Sequence, residues 1–470
     1  MTKRTRTILF FICLFLFFLI TPFIVLYSQG YRIDWNFKRI IKTGGFYFKV
    51  WPESAQVFID GKFQKKTGFI SNSVYINNLT PKEYKVEIKK EGFQTWQKNL
   101  EIKDNWVTVS DNVILIPKSP KFVNLSQKVG DFFFSPDQRK LIIKEDDDKS
   151  WSLKIIEFPP FLTQEIYPKN NLFSGFQSAD VELLDLKFSQ DSNRILLLTK
   201  EKENVRYWIL ELQSPLQEQA LNDLISLDFL GNEIEEVFFN PQDIQKIFFI
   251  KKTSLFNANI ITKTIDSNPL LKNVISYEIS EGDLFRISND GFFFKTDLTG
   301  GNEEKLNSVP FSIKKDGKYQ IYIRSPYFFL KEDEVLYILK PDSTSFEKIS
   351  EPVRDVKFSP DEKKMLYFNN YEIGILFLEK KESQPPKEAL ENLFVTRLSE
   401  KINQGAWLNS NYFVFTVGNK TKISEIDNRD RINIYDFAEF NSPQIFFNQF
   451  NKKLYILSEG NLSFSEKLLP

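Results

Sequence analysis

The chain has 470 residues, enough for two or three domains that each bury a sizeable core. Its 62 Lys and Arg balance 62 Asp and Glu, so no global field favours nucleic acid. It contains no histidine, which excludes Ser-His-Asp and Cys-His relays and His metal ligands, but leaves paired-carboxylate chemistry open because that needs only Asp or Glu.

Residues 8–27, ILFFICLFLFFLITPFIVLY, carry no charge. At about 1.5 Å per residue a helix of this length spans the hydrocarbon layer of roughly 30 Å. Ile8, Leu14, Phe18, Pro22 and Tyr27 mark this anchor, and the basic stub 1–7 with Lys3, Arg4 and Arg6 precedes it. Such an arrangement keeps the N-terminus cytoplasmic and places the C-terminal body outside. The competing reading is a cleaved signal peptide. Its apolar stretch is normally shorter, and Leu26-Tyr27-Ser28 lacks the small residue expected two positions before the cut, so an uncleaved anchor is expected. The only cysteine, Cys13, lies within this segment, which rules out an intramolecular disulfide in the body. Residues 28–45 mix Tyr31 and Trp35 with Arg32, Lys38, Arg39 and Lys42, a composition that suits a membrane interface or an ordinary connector equally.

From 46 to 117 the pattern changes to short alternating runs separated by turn signals, which predicts a small antiparallel β domain. Val57-Phe58-Ile59 runs into Asp60-Gly61, a dipeptide suited to a type I′ hairpin, and Tyr84, Val86 and Ile88 alternate with Lys85, Glu87 and Lys89. The run Trp51-Pro52-Glu53-Ser54-Ala55-Gln56-Val57-Phe58-Ile59-Asp60-Gly61, followed by Pro81, Tyr84 and Gly92, resembles the PEGA domain of bacterial and archaeal surface proteins. Ser54 stands where that family usually has Gly. The resemblance implies a β-sandwich-like extracytoplasmic adhesion or spacer module with no known catalytic role. Five lysines between Lys82 and Lys98 form either a solvated strand face, the expected reading given the interleaved Glu83, Glu87 and Glu91, or a basic stripe for anionic polymers.

Beyond Pro117-Lys118-Ser119-Pro120, over 121–470, one phrase recurs: Phe134-Ser135-Pro136-Asp137 and Phe358-Ser359-Pro360-Asp361. Degenerate copies are Phe188-Ser189-Gln190-Asp191 and Phe239-Asn240-Pro241-Gln242, with weaker ones at Trp407 and Phe447. The gap between 239 and 358 leaves room for two more units, at 274–306 and 311–349. Repeats of this length with several strands each predict a propeller of seven or eight blades. In one blade the aromatic ends a strand packed between blades, Pro presets φ for the turn and Asp caps it, so these aspartates have a structural task. The phrase resembles the TolB-like, WD40-like repeat of bacterial periplasmic propellers, also found in prolyl oligopeptidase-type peptidases. The α/β-hydrolase domain of those peptidases has no counterpart, since no G-x-S-x-G occurs.

No Walker loop, G-x-G-x-x-G or Cys-x-x-Cys is present. Ser288-Asn289-Asp290-Gly291 reads as a hairpin turn and Glu145-Asp146-Asp147-Asp148 as a solvated loop tip rather than a calcium loop. The expectation is a mainly β protein: a transmembrane helix, a PEGA-like domain and a propeller. No catalytic residue, cofactor or metal is expected, nor nucleic acid; the expected partners are the membrane and an envelope protein, peptide or glycan. Carboxylate-based glycan chemistry on the propeller is the alternative.

Overall fold

The computed structural model describes residues 3–34, 39–147, 150–158, 170–174, 181–212, 224–231 and 233–470. Trp35, Lys38 and Asp148 lie outside the described residues. Helix α1 (Lys3–Ser28) is the one helix among them with the length and composition to cross a membrane, and Pro22 lies inside it. Its last turn is tied to the strand hairpin that follows, β1 (Tyr31–Asp34) with β2 (Arg39–Lys42). Thr43 donates to the Gly30 carbonyl through both N–H and hydroxyl, each at 2.9 Å. Arg32 donates to the Tyr27 carbonyl at 2.8 Å and lies 3.4 Å above the Tyr27 ring.

Seven strands then build a two-sheet sandwich: β3 (Gly44–Trp51), β4 (Gln56–Ile59), β5 (Lys62–Lys66), β6 (Ser73–Leu79), β7 (Glu83–Lys89), β8 (Trp96–Glu101) and β9 (Val107–Ile114). The sheets are β6-β3-β9 and β5-β4-β7-β8, antiparallel except for β3 against β9, the first and last strands of the unit. Asp60 and Gly61 join β4 to β5 with φ of 48° and 76°, the double left-handed turn that glycine and aspartate tolerate. Alternate residues of both sheets, among them Phe46, Phe48, Val57, Val86, Ile88 and Trp96, close one core. Tyr84, Val86 and Ile88 face inward while Lys85 faces water.

The rest of the chain forms eight four-stranded sheets among the described residues. Blades 1 to 7 cover 129–174, 181–226, 236–265, 274–305, 319–350, 355–397 and 402–439; blade 8 takes three strands from 444–465 and its fourth, Phe122–Ser126, from the other end of the array. That borrowed strand closes the ring. Apolar layers follow the same circuit, each drawing on two neighbouring blades: Leu153 and Leu197 between blades 1 and 2, Phe285 and Ile321 between 4 and 5, Tyr455 and Leu141 between 8 and 1. Burying one large apolar side chain contributes about 1.5–3 kcal/mol, against about 0.5–1.5 for a hydrogen bond, so these layers rather than the turns carry most of the stability. The two units that fill the interval between 239 and 358 are blades 4 and 5. First strands of blades 4 and 5, 6 and 7, and 7 and 8 touch one another, which places the first strands nearest the axis.

Candidate binding site

The turn that follows each first strand defines one face of the ring. Ser135, Ser189 and Ser359 donate to Asp137, Asp191 and Asp361 at 2.6, 2.5 and 2.5 Å, and each serine oxygen accepts an amide five residues on at 2.9–3.0 Å. Burial works to raise the three carboxyls, but the hydrogen bonds they accept outweigh it and hold them below the usual aspartate value. Blades 3, 7 and 8 reach the same turn with Asn240, Asn409 and Asn448, whose side-chain oxygens each accept two amides at 2.7–3.2 Å. The aromatics before these turns pack between blades: Phe134 stacks on Phe446 at 4.2 Å, and Phe358 lies 6.1 Å from both Tyr322 and Phe329.

On this turn face the sandwich docks against blades 6 and 7. Lys98 of β8, fully buried, meets Glu425 at 2.7 Å and donates to the carbonyls of Asp427 and Arg431 at 2.8 and 2.7 Å. Trp96 Nε1 donates to the other Glu425 oxygen at 2.8 Å, and Asn433 donates to Glu425 from backbone and side chain at 3.0 and 2.8 Å. Arg429 donates to Val109 O and Ser110 Oγ at 2.7 and 2.9 Å, Gln384 accepts from Val109 N–H at 2.9 Å, and Tyr412 accepts from Ile114 N–H at 3.0 Å. Burial raises the Glu425 carboxyl, with Lys98 opposing it. Burial also works to raise Asp427, but the Arg429 bond and charge leave it lowered. The lysine-rich segment is therefore not a uniform solvated face: Lys98 lies on β8 in phase with the buried Trp96 and Leu100 and becomes the centre of an interdomain contact with blade 7.

Across the ring the same face stays open. Blades 2 to 4 wall a cavity of about 450 Å³ with Phe188, Phe238, Phe239, Tyr277 and Ile244; Pro241 sits at one of its turns, and the blade 1 turn adds Pro136 at its edge. The Phe238 and Tyr277 rings stack at 4.3 Å. The cations at the cavity are already engaged: Arg194 lies 4.7 Å from the Phe239 ring centre and donates to Ile244 O, and Lys187 pairs with Glu236 at 2.9 Å. Asp191 serves its own turn. Glu278 and Glu281 complete the lining. Glu278 keeps a water-facing surface, yet enclosure by the surrounding blades is the largest influence on it and pushes its carboxyl up to about 7; Arg324 opposes and Glu236 adds to this. The Tyr277 hydroxyl is raised by burial, with Glu236 adding charge and a hydrogen bond.

Of the residues singled out in the sequence, Pro136, Phe188, Asp191, Phe239 and Pro241 meet at this cavity, while the Phe358-Ser359-Pro360-Asp361 turn belongs to blade 6. The sandwich motif stays within its own unit: Ala55 N–H donates to Thr67 at 3.0 Å, Asp60 accepts from Lys85 N–H at 3.1 Å, Tyr84 donates to Thr80 O at 2.9 Å, and Gly92 O accepts from Lys118 N–H at 2.9 Å. Pro52 and Glu53 lie in the link from β3 to β4, where Glu53 O accepts from Lys90 at 2.7 Å, and Pro81 in the turn from β6 to β7. Ile8, Leu14, Phe18 and Tyr27 project from α1 without burial. Sequence reasoning missed a polar position three residues before the blade aromatic: Asp131, Asp185, Glu236, Asp355, Gln404 and Gln444. Four of them link neighbouring blades: Gln444 donates to Asp131 at 3.1 Å, Gln404 accepts from Ile445 N–H at 2.7 Å and Glu236 pairs with Lys187 at 2.9 Å, whereas Asp185 and Asp355 accept from the next amide of their own strand. Aligning the repeats on the aromatic would have shown them. Among the described residues no group of Asp, Glu or Cys side chains is arranged to hold a metal ion.

Neither a protein-family model nor a curated protein sequence matches the chain. Among solved structures it is similar to Hsv2 of Kluyveromyces lactis, at 13% identity over 68% of this chain and 100% of that one, with a TM-score of 0.43. It is also similar to the β-propeller domain of Cps50 (Swd1) from Myceliophteria thermophila, at 9% identity over 74% and 98%, TM-score 0.38, and to YCF48 from Cyanidioschyzon merolae, at 13% over 61% and 96%, TM-score 0.36. The blade count rests on the sheet order and the closed circuit of apolar layers, not on these likenesses.

Proposed function

We propose that this chain is a single-pass, membrane-anchored scaffold of the cell envelope whose propeller holds a protein or peptide partner on the extracytoplasmic side. One observation carries the binding assignment: the sandwich covers blades 6 and 7 of the turn face while blades 2 to 4 of that face keep an open, aromatic-walled cavity. A concave apolar pocket with a few convergent polar groups is the usual form of a recognition site. The anchor reading draws on the length and composition of α1 and on the basic residues before it in the sequence. Trp106, 54% exposed beside the strand that leaves the helix, suits the headgroup layer. The sandwich is read as a PEGA-like spacer and the ring as a TolB-like propeller, both from the motifs quoted above.

A photocrosslinker placed at Ile244, on the cavity rim, tests the assignment in the membrane-borne chain. It is expected to capture an envelope partner, whereas the same group at Val205, on the opposite face, captures none; equal capture at both positions would refute it. A second reading, carboxylate-based glycan chemistry, is favoured by the raised carboxyl of Glu278. It requires that the purified ectodomain cleave envelope glycans and that Glu278→Gln abolish the cleavage.

A further inference from the structure

We propose that the cavity of blades 2 to 4 recognises an alkylammonium group, seated against the Phe238 and Tyr277 rings with Glu278 as its counter-charge. This rests on the reading of the cavity as the binding site and adds the chemistry of the ligand. The argument is one of charges left over. Arg194 is 6% exposed, held over Phe239 and bonded to Ile244 O, so it is a wall and not a reader. Lys187 is taken by Glu236, and Asp191 by the Ser189 hydroxyl and the Asn193 amide. Among the described residues the side chains of Glu278 and Glu281 enter no ion pair or hydrogen bond, Lys295 being paired with Asp283, and both line the cavity. The uncommitted charge of the site is therefore negative.

The walls agree with that sign. Aromatic faces attract a cation through their quadrupole, most strongly where water is excluded, and a carboxylate beside them completes the recognition of an ammonium head on an apolar stem. Phe238 and Tyr277 line the cavity as a pair stacked on one another at 4.3 Å, so the ammonium meets the side of the pair that borders the cavity and not the space between the rings. The groups around Glu278 are Glu236, Tyr277, Tyr322 and Arg324. Arg324 is the one cation among them; it opposes the rise of the Glu278 carboxyl without pairing with it, donating instead to Ile323 O and lying 3.7 Å from Glu362. A bound ammonium would supply the neutralising charge that Glu278 lacks, which matches its carboxyl standing at about 7 in the free protein.

The ammonium could be the side chain of a lysine in a partner protein or a free polyamine. Calorimetry on the full chain in detergent distinguishes them, with three probes: a capped tripeptide centred on lysine, its norleucine counterpart and spermidine. The lysine peptide or spermidine is expected to bind at pH 8, norleucine not, and Glu278→Gln to weaken the cation by roughly tenfold, with Phe238→Leu, which keeps an apolar wall, weakening it by roughly threefold. Binding of the lysine peptide alone assigns the ammonium to a protein partner; binding of spermidine alone assigns it to a polyamine. Equal binding of norleucine, or affinity indifferent to Glu278→Gln, would overturn the ammonium assignment. Crosslinking at Ile244 is read separately: capture there without any ammonium binding leaves the cavity as the partner site and removes only its chemistry.

Discussion

Blades 6–7 and blades 2–4 share one face of the ring and one repeat, yet they are used in opposite ways. At blades 6–7 every buried charge has a partner: Lys98, Glu425, Asp427 and Arg429 form a network that closes on the backbone of the sandwich. At blades 2–4 the cations are engaged and a carboxylate is left over beside open aromatic surface. A satisfied network fixes two bodies in one orientation, whereas an unsatisfied one is a place for a ligand. The contrast teaches that the sandwich is not a loose spacer. It is a fixed part of the turn face, and it decides which half of that face remains free.

The largest effect is expected at the junction. Lys98→Met leaves the Glu425 carboxylate buried without its counter-charge, which should cost about 3–5 kcal/mol in urea unfolding. Replacing both, as Lys98→Met with Glu425→Gln, should recover more than half of that loss. The Glu425 carboxyl is raised in the folded protein, so the folded state binds more protons than the unfolded one above the ordinary glutamate value, and stability falls as pH rises through that window. The deficit of Lys98→Met should accordingly shrink as pH is lowered; a deficit constant with pH would argue that the charge is not the cause.

A smaller effect is expected from the turns that both halves share. Asp361→Ala removes the acceptor for Ser359 and the Lys363 amide and should cost about 1–2 kcal/mol at pH 7. The Asp361 carboxyl is lowered on folding, so its contribution is present above the ordinary aspartate value and is lost as pH falls through the folded one. Unfolding curves of variant and parent should converge in acid. The smallest effect belongs to the cavity. Glu278→Gln should leave Tm unchanged near pH 5 and raise it by about 1 °C at pH 8, where the parent carries an enclosed carboxylate. No rise at pH 8 would mean that Glu278 is freely hydrated.

Much of this architecture is legible in the sequence because it is local. Twenty uncharged residues, the Asp60-Gly61 turn and the Ser-Pro-Asp phrase each act over a few positions, and period-2 alternation separates Val86 from Lys85. Blades 4 and 5 lack the phrase because they turn differently: Ser280 pairs directly with Asp283 around Glu281-Gly282, and Arg324 with Tyr327 around Ser325-Pro326. The junction was not legible. The phase of Lys98 with Trp96 and Leu100 sets it on the buried side of β8, unlike Lys85 and Lys89, but its partner Glu425 lies more than 300 residues away, and only the closed ring brings the pair together. The cavity was half legible, since its turns carry the phrase but Tyr277 and Glu278 come from a blade without it.

A distance measurement between spin labels tests the fixed junction most directly. With Cys13 replaced by Ser and labelled cysteines at Phe63 of the sandwich and Val205 of blade 2, both exposed, pulsed electron resonance should give one narrow distance distribution. The same pair in Lys98→Met should give a broad one. A broad distribution in the parent would contradict the docked sandwich and, with it, the division of the turn face into a covered and an open half.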